Sequence, residues 1–205
     1  MTALRPSYFF TALFICSTFC FSLQAKEDPT TSTYALDTET SVVKWTGKKV
    51  SGAHNGTLKI KSGNVEKSGD SITGGEFVID MTTIVNEDIE NLTWRKKLED
   101  HLRSDDFFNI SKFPEGKFVI NKTKNNENGS LLIHGDLTIK DITKPITFEA
   151  SLKEEAQVMH ANATTKINRL EWDIRYNSAK WFDPQKLGDK LIYDDIEIEL
   201  DLKTK

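Results

Sequence analysis

Apolar and polar side chains alternate along most of the chain, which is the pattern of a β-strand with one buried face. In residues 145–153, for example, Ile146, Phe148, Ala150 and Leu152 alternate with polar side chains. Shorter runs of the same period lie between turn-forming residues at positions 41–46, 57–61, 76–81, 117–121, 131–139, 159–167, 170–176 and 192–202. The pattern predicts about eight short strands, which fits either a β-sandwich or a β-barrel.

One segment breaks the alternation and predicts a helix. Trp94, Leu98 and Leu102 recur at intervals of four residues, so they would form one narrow apolar stripe on a helix that the fold must cover. Ser104 then offers a cap for a further turn, which Phe107 and Phe108 follow side by side. Two adjacent aromatic side chains rarely both face water, so this turn is expected to serve a purpose.

The first 25 residues differ in composition from the rest. Arg5 is their only charged side chain, residues 8–23 are predominantly apolar, and a charged segment follows Ala25. This layout predicts a signal peptide at residues 1–25, with a retained N-terminal anchor as the alternative. The polar residues 26–33 are expected to form a flexible lead-in to a single domain at residues 34–205.

The composition argues against several classes of protein. Cys16 and Cys20 both lie in the leader, so the processed chain would contain no disulfide. The net charge of −4 becomes −5 when Arg5 is removed with the leader, which argues against a nucleic-acid partner. Neither the four histidines nor the acidic pairs have the spacing of a metal site or a catalytic pair. An enzyme would therefore need a site assembled from residues distant in sequence, and we predict none.

Four segments resemble the YceI family, at residues 52–56, 75–83, 98–118 and 135–146. The longest contains L-x-S-x-D-F-F, followed by F-P and a further Phe, and the likeness runs in order from about Tyr34 to the C-terminus. YceI proteins are bacterial periplasmic proteins that resemble lipocalins and bind polyisoprenoids or related long-chain lipids.

The resemblance implies an all-β fold, an antiparallel lipocalin-like β-barrel of about eight strands with one short helix near an end. Such a barrel has room inside for its own side chains or for one small ligand. The resemblance further implies a periplasmic location, a bound isoprenoid lipid or quinone with no other cofactor, a homodimer, and only transient contact with a membrane. It supplies no catalytic residues, and the motif positions that carry over are Leu102, Phe107, Phe108, Phe113 and Pro114.

Strand parity adds further residues to the predicted lipid-binding wall. Ala161 and Ala163 share a face with Met159 and Ile167, and their small size would leave volume unfilled. The helix and the two phenylalanines after it are expected to cover the ligand or gate its access, although each aromatic could equally belong to a packed core. The predicted lipid-binding residues are Trp45, Phe77, Ile79, Met81, Leu98, Leu102, Phe107, Phe108, Phe113, Phe118, Ile133, Phe148, Ala161, Ala163 and Trp172.

Two other functions stay open at this point: an envelope stress or interaction protein with a filled barrel, and an enzyme that acts on a lipid held in the barrel. Residues 180–189 place Trp181 and Phe182 in a loop before the last strand. We expect this loop to tuck in its aromatic pair and close the barrel base, with a partner or membrane contact as the alternative. Asp194 falls on the inward face of the last strand, which suggests a position at the strand's mouth.

Overall fold

The computed structural model describes residues 30–205, which contain nine β-strands and two α-helices. The predicted signal peptide and residues 26–29 of the lead-in lie outside the described residues. The strands are β1 (Thr31–Ala35), β2 (Val42–Lys49), β3 (Gly52–Ser68), β4 (Ser71–Asn86), β5 (Glu115–Asn125), β6 (Leu131–Ile139), β7 (Ile142–Glu155), β8 (Val158–Asn168) and β9 (Ile192–Lys203), and the helices are α1 (Leu92–Arg103) and α2 (Pro184–Leu187). No helix within this part of the chain is long and apolar enough to cross a membrane.

Eight of the strands close into an antiparallel barrel. The hydrogen-bonded order is β3-β2-β9-β8-β7-β6-β5-β4, and pairing between β3 and β4 completes the ring. Strand β1 pairs with the C-terminal part of β3, from Thr31 opposite Ser68 to Ala35 opposite Asn64. The predicted all-β, antiparallel barrel with about eight strands and a helix is therefore confirmed.

Alternate residues of each strand point into the barrel, as the sequence pattern predicts. In β6 every second residue is buried, and Gly135 occupies the middle inward position. A Cβ at Gly135 would overlap the ring of Phe118 and the carbonyl of Val119, so only glycine lets this ring lie against the wall. The Phe118 ring packs between Phe77 and Phe148, with centroids 6.3 and 5.6 Å away.

The strands are longer than the sequence indicates. β1 begins at Thr31, so three residues of the predicted lead-in belong to the sheet. β3 runs without a break through Gly63 and Asn64, a pair of residues that is typical of turns, and residues 52–56 also lie in this strand. The reason is tertiary, because β3 has three partner strands that fix its backbone along its whole length.

Residues 170–176, predicted to form a strand, fold instead into a 3₁₀ turn at Arg169–Trp172 and an irregular loop. The Asn168 side chain accepts a hydrogen bond from the backbone N–H of Leu170 at 3.0 Å, and Asp173 ends the turn with a φ of 58°. The strand prediction was wrong because the 3₁₀ turn and the loop after it also bury alternate residues, Trp172 and Ile174. Burial of every second residue therefore does not by itself identify a strand.

Helix α1 packs on β4 across one end of the barrel. Leu102 is buried and Leu98 is half-buried, but Trp94 is 60% exposed. The predicted apolar stripe is therefore covered only along its C-terminal part. Ser104 is the C-cap of α1, and its hydroxyl donates to the His101 carbonyl at 2.7 Å, rather than capping the start of a new turn.

Candidate functional site: an apolar cavity in the barrel

The barrel encloses a cavity of about 250 Å³ whose wall is formed by inward-facing side chains of all eight barrel strands. Helix α1 and the turn after it complete the wall at one end, through Leu98, Leu102, Phe107 and Phe108. Most lining side chains are aliphatic or aromatic because most inward positions of the strands are apolar. The volume is slightly below the roughly 300–1,000 Å³ common for small-molecule pockets.

Most of the sequence-predicted site residues lie in this wall. Phe113 and Trp172 do not. Phe113 is half-buried in the loop before β5, with the Lys112 ammonium 4.9 Å from its ring centroid. Trp172 is buried outside the cavity wall, where its indole N–H donates to the Leu137 carbonyl at 3.2 Å. The predicted residues that line the cavity are Trp45, Phe77, Ile79, Met81, Leu98, Leu102, Phe107, Phe108, Phe118, Ile133, Phe148, Ala161 and Ala163.

The sequence prediction missed the parts of the wall that β3 and β9 provide. Leu58 and Ile60 of β3 line the cavity, and so do Ile192, Ile196, Ile198, Leu200 and Leu202 of β9. The signal that could have identified them was present, because the same alternation had already assigned these residues to an inward face.

Part of the unfilled volume borders β8 and β9. Ala161, Ala163 and Thr165 on β8 point inward, and so do Ile198 and Leu200 on β9, yet all five are only half-buried. Inward side chains in a close-packed core lose nearly all of their exposure. These side chains therefore border space that the protein leaves open, and two of them are the alanines that strand parity placed there.

The cavity is closed at one end, which we call the sealed end. Leu36 and Met159 are buried there, and the Met159 N–H donates to the Thr204 hydroxyl at 2.8 Å. The Ser41 hydroxyl bonds both backbone groups of Lys203, accepting from its N–H at 3.0 Å and donating to its carbonyl at 3.3 Å.

The opposite end, which we call the mouth, lies between the β2–β3 turn, the start of β9 and helix α1. Besides the buried Arg169, the polar lining residues here are Lys48, Lys49, His54 and Tyr193, and these four are partly or fully exposed. Gly47 also lines this region, and no described atom lies within 4 Å of the position that a Cβ would take. The mouth is therefore open beside a residue that has no side chain.

Helix α1 and the Phe107–Phe108 turn form a cap beside the mouth. The N–H of Asn86 donates to the Glu99 carboxylate at 2.9 Å, which ties the middle of α1 to the end of β4. At the helix C-terminus, the His101 ring packs edge-on against Phe107 and Tyr176, with centroids 5.0 and 4.6 Å away. The cap is thus held by a few polar and aromatic contacts rather than by strand pairing.

A histidine–aspartate pair fastens the segment before α1 to the barrel rim. His54 Nδ1 and Asp88 Oδ2 lie 2.8 Å apart, and Asp88 Oδ1 accepts from the Asn55 N–H at 2.9 Å. Partial burial works to raise the pKa of Asp88, but the hydrogen bonds from Asn55, His54 and Asn86 outweigh it and hold the pKa below its ordinary value.

A buried arginine, which the sequence analysis did not single out, lies under the mouth. Arg169 is 1% exposed and donates to the carbonyls of Ile174, Ile192 and Tyr193 at 2.7, 3.1 and 3.2 Å. Its guanidinium also lies 3.2 Å from Asp194 Oδ1, which explains the inward charge on β9. Burial lowers the pKa of Arg169 and Asp194 opposes that shift. The arginine fixes the long β8–β9 connection to the start of β9.

One polar atom in the cavity wall is unpaired. Trp45 is a buried lining residue, and its Nε1–H is the buried side-chain donor without a hydrogen-bond partner among residues 30–205. Leaving such a donor unpaired costs about 1–3 kcal/mol, so it calls for an explanation. Over the same residues, no three His, Cys, Asp or Glu side chains are grouped so that they could hold a metal ion.

Two solved structures resemble this fold although their sequences are less than 20% identical to this chain. BcnA of Burkholderia cenocepacia superposes with a TM-score of 0.67 at 17% identity, covering 83% of this chain and 99% of BcnA. A polyisoprenoid binding domain from Saccharophagus degradans gives a TM-score of 0.60 at 11% identity, covering 84% of this chain and 97% of that domain. At such identities the likeness establishes the fold.

Sequence relatives match shorter stretches. A UPF0312 protein of Shewanella denitrificans is 49% identical over 57 residues, which are 28% of this chain and 30% of that protein. Another, from Pseudomonas putida, is 35% identical over 81 residues, 37% of this chain and 42% of that protein. The matches thus span less than half of either relative.

The family model described as the YceI-like domain matches residues 34–204, which is nearly the whole described chain and includes all eight barrel strands. The chain therefore belongs to the YceI-like domain family.

Proposed function

We propose that this protein binds a long-chain apolar lipid inside its barrel and sequesters or carries it. The observation that carries the proposal is the apolar cavity whose β8 and β9 walls remain half-exposed in the barrel interior. A wall of aliphatic and aromatic side chains suits a hydrocarbon chain and offers few partners to a polar substrate.

The energetics are adequate for such binding. Burying about ten methylene groups contributes about 8 kcal/mol at roughly 0.8 kcal/mol each, before the cost of ordering the chain. That value corresponds to roughly micromolar affinity. The half-exposed inward side chains of β8 and β9 would also lose their contact with water when a ligand fills the space.

The specific ligand that we propose is a polyisoprenoid lipid, preferably an isoprenoid quinone. The family resemblance and the fold shared with a polyisoprenoid binding domain support the isoprenoid chain. The unpaired Trp45 Nε1–H favours a quinone, because a quinone carbonyl could accept its hydrogen bond and a plain hydrocarbon could not. Replacing Trp45 with Phe should then weaken quinone retention more than retention of a polyprenyl hydrocarbon.

We place this function in the periplasm. The support is the composition of residues 1–25, with one charged side chain, an apolar stretch and Ala25 before a charged segment. Cell fractionation and the intact mass of the native protein test this location. A mature chain that begins at Lys26 is expected, and a species that retains Cys16 and Cys20 would indicate an anchored protein instead.

The direct test of the ligand is mass spectrometry of an organic extract of natively purified protein, which should contain a stoichiometric isoprenoid lipid. An empty extract would favour the interaction protein with a filled barrel. Recovery of a lipid that the purified protein chemically converts would favour an enzyme.

A matched pair of variants locates the lipid. Ala163→Trp places an indole in the open volume beside β9, so the protein should fold and melt cooperatively but lose the lipid. Thr164→Trp, on the next residue of β8 and facing away from the cavity, should keep it. Loss of folding in Ala163→Trp alone would show a packed interior, and retention of lipid in both variants would place the binding site elsewhere.

A further inference from the structure

We propose that the mouth of the barrel docks onto the surface of an anionic lipid bilayer. The inference deepens the proposed function and rests on it, because a lipid carrier must exchange its cargo with a membrane. The exposed apolar side chains are unevenly distributed over the described part of the protein.

Every exposed large hydrophobic side chain in residues 30–205 lies at the mouth end. Three elements carry them: the β2–β3 turn, the end of β4 with the start of α1, and the β8–β9 connection with the start of β9. Trp94 is 60% exposed and Trp181 is 54% exposed, so our expectation that the Trp181–Phe182 loop tucks in its aromatics was wrong. Such clustering marks an interaction surface. The side chains are Val50, Val85, Leu92, Trp94, Trp181, Phe182 and Tyr193.

Basic side chains are concentrated beside the exposed aromatics of this surface, although the whole chain carries a net charge of −4. Residues 47–52, 92–97 and 175–190, which hold five of the seven exposed apolar side chains, contain nine basic side chains and two acidic ones. Acidic residues border these segments, so that residues 47–52, 85–97 and 169–195 together contain ten basic and nine acidic side chains. The basic side chains beside the aromatics are complementary to anionic lipid headgroups.

The position of these cations at the start of α1 opposes local stability. Arg95, Lys96 and Lys97 lie four to six residues after the N-cap Asn91, in a helix whose first turn contains no acidic residue. The N-terminus of a helix favours negative charge, so cations near it are mildly unfavourable for the isolated helix, and only the Lys96 ammonium has an acidic partner on the helix at 2.6 Å, the Asp100 carboxylate. A partner that carries negative charge would compensate for them.

Basic groups lie directly on the exposed indoles. The Lys97 ammonium is 5.0 Å from the Trp94 ring centroid, and the Arg175 guanidinium is 3.8 Å from that of Trp181. Tryptophan beside lysine or arginine suits the headgroup region of a bilayer, where the ring enters the boundary and the charge stays with phosphate. The core of a protein interface, by contrast, is depleted in charge.

The geometry connects this surface to the cavity. Tyr193 and Lys49 line the cavity and belong to the rim, and Leu98 lines it one turn along α1 from Trp94. Backbone bonding between Val50 and Leu191, with N–H to carbonyl at 3.2 Å, joins the β2–β3 turn to the β8–β9 connection. A bilayer on this rim would face the mouth, so an apolar chain could pass between them with little exposure to water.

Vesicle flotation of the full mature protein tests the docking. We expect binding to vesicles of phosphatidylcholine with phosphatidylglycerol, weaker binding to phosphatidylcholine alone, and weakening by salt. Lys97→Glu with Lys180→Glu should reduce the affinity for anionic vesicles roughly tenfold or more. Lys124→Glu with Lys153→Glu makes the same charge change at the sealed end and should have little effect.

A second pair of variants tests the aromatic side chains. Trp94→Ser with Trp181→Ser should also lower vesicle affinity, while the extracted lipid stays unchanged because neither residue lines the cavity. The two measurements distinguish the two proposals. A protein that binds vesicles but yields no lipid on extraction contradicts the proposed lipid binding. A protein that yields lipid but does not bind vesicles contradicts the docking. Equal losses in the rim and sealed-end charge variants would also overturn the docking. So would a stable dimer that shields both tryptophans from a soluble quencher.

Discussion

The two ends of the barrel differ in how far their apolar side chains are buried and in how their backbone groups are hydrogen-bonded. At the sealed end, apolar side chains such as Leu36 and Met159 are buried, and the hydroxyls of Ser41 and Thr204 satisfy backbone groups that strand pairing leaves over. At the mouth, Trp94 and Trp181 remain exposed.

The residues that close the barrel at the sealed end differ in kind from the residues that shape its opening. Strand pairing closes the sealed end, where the hydroxyls of Ser41 and Thr204 bond the remaining backbone groups of Lys203 and Met159. The long β8–β9 connection at the mouth is not paired as a strand. The buried Arg169 guanidinium holds it in place instead by donating hydrogen bonds to three backbone carbonyls. The mouth should therefore depend on single polar residues for its shape, and the sealed end should depend on many small contributions.

The largest expected effect is the loss of Arg169. Arg169→Met leaves three carbonyls and the Asp194 carboxylate without their partner in a buried site, so it should lower the free energy of unfolding by about 3–5 kcal/mol. Urea denaturation measures this change. Arg175→Met is the matched control, because its ion pair with Asp173 is about half exposed and worth less than about 1 kcal/mol. Similar losses in both variants would contradict the role assigned to Arg169.

A smaller effect is expected at the sealed end. Thr204→Val keeps the shape of the side chain but removes the acceptor of the Met159 N–H, so it should cost about 1–3 kcal/mol. Thr164→Val, at an exposed position of β8, should change stability by less than about 0.5 kcal/mol. A loss as large as that of Arg169→Met would show that the sealed end, too, depends on one residue.

The third prediction concerns pH and the rim. The pKa of Asp88 is lower in the folded protein than in the unfolded chain, so its ionised form stabilises the fold above the ordinary carboxyl pKa of 3.8. That stabilisation is lost as the pH falls from about 4 through the lowered folded pKa. Asp88→Asn should therefore destabilise the protein by about 1–2 kcal/mol at pH 7. The melting temperatures of the parent protein and Asp88→Asn should converge at low pH. A difference in melting temperature that persists at pH 2 would contradict this account.

The smallest effect on stability, with a large effect on cargo, is expected at Gly47. A Cβ added there would have no described atom within 4 Å, and the side chain would face the mouth, so Gly47→Phe should change stability by about 1 kcal/mol or less. The phenyl ring would nevertheless obstruct the mouth, and the extracted lipid should fall. Thr46→Phe, on the adjacent residue of β2, should retain it. Full cargo in Gly47→Phe would mean that lipid enters by another route.

Much of the fold could be predicted from the sequence because strand parity is a local property. Alternation in β7, β8 and β9 identified the inward residues directly, and the small Ala161 and Ala163 indicated where space would remain. The same rule extended to position 169 would have placed Arg169 on the inward face of β8, near the inward Asp194 of β9. The local pattern did not indicate the pair, because an arginine after a strand usually lies on the surface.

Other features depended on contacts that no local pattern reveals. The burial of Trp172 resembled that of a strand, yet a 3₁₀ turn produces it. The stripe of Trp94, Leu98 and Leu102 indicated the helix correctly but not how far the barrel would cover it. Phe113 belongs to the family motif and still lies outside the cavity wall, because the loop before β5 turns it away.

The sequence by itself determined most of the strands, their inward and outward faces and the apolar character of the interior, because each depends on the period of neighbouring residues. Tertiary structure alone decided that the interior stays partly empty against β8 and β9, that one end is sealed, and that the exposed aromatics gather around the other. Those outcomes depend on barrel closure, which joins β3 to β4 and sets distant side chains at fixed distances across the interior.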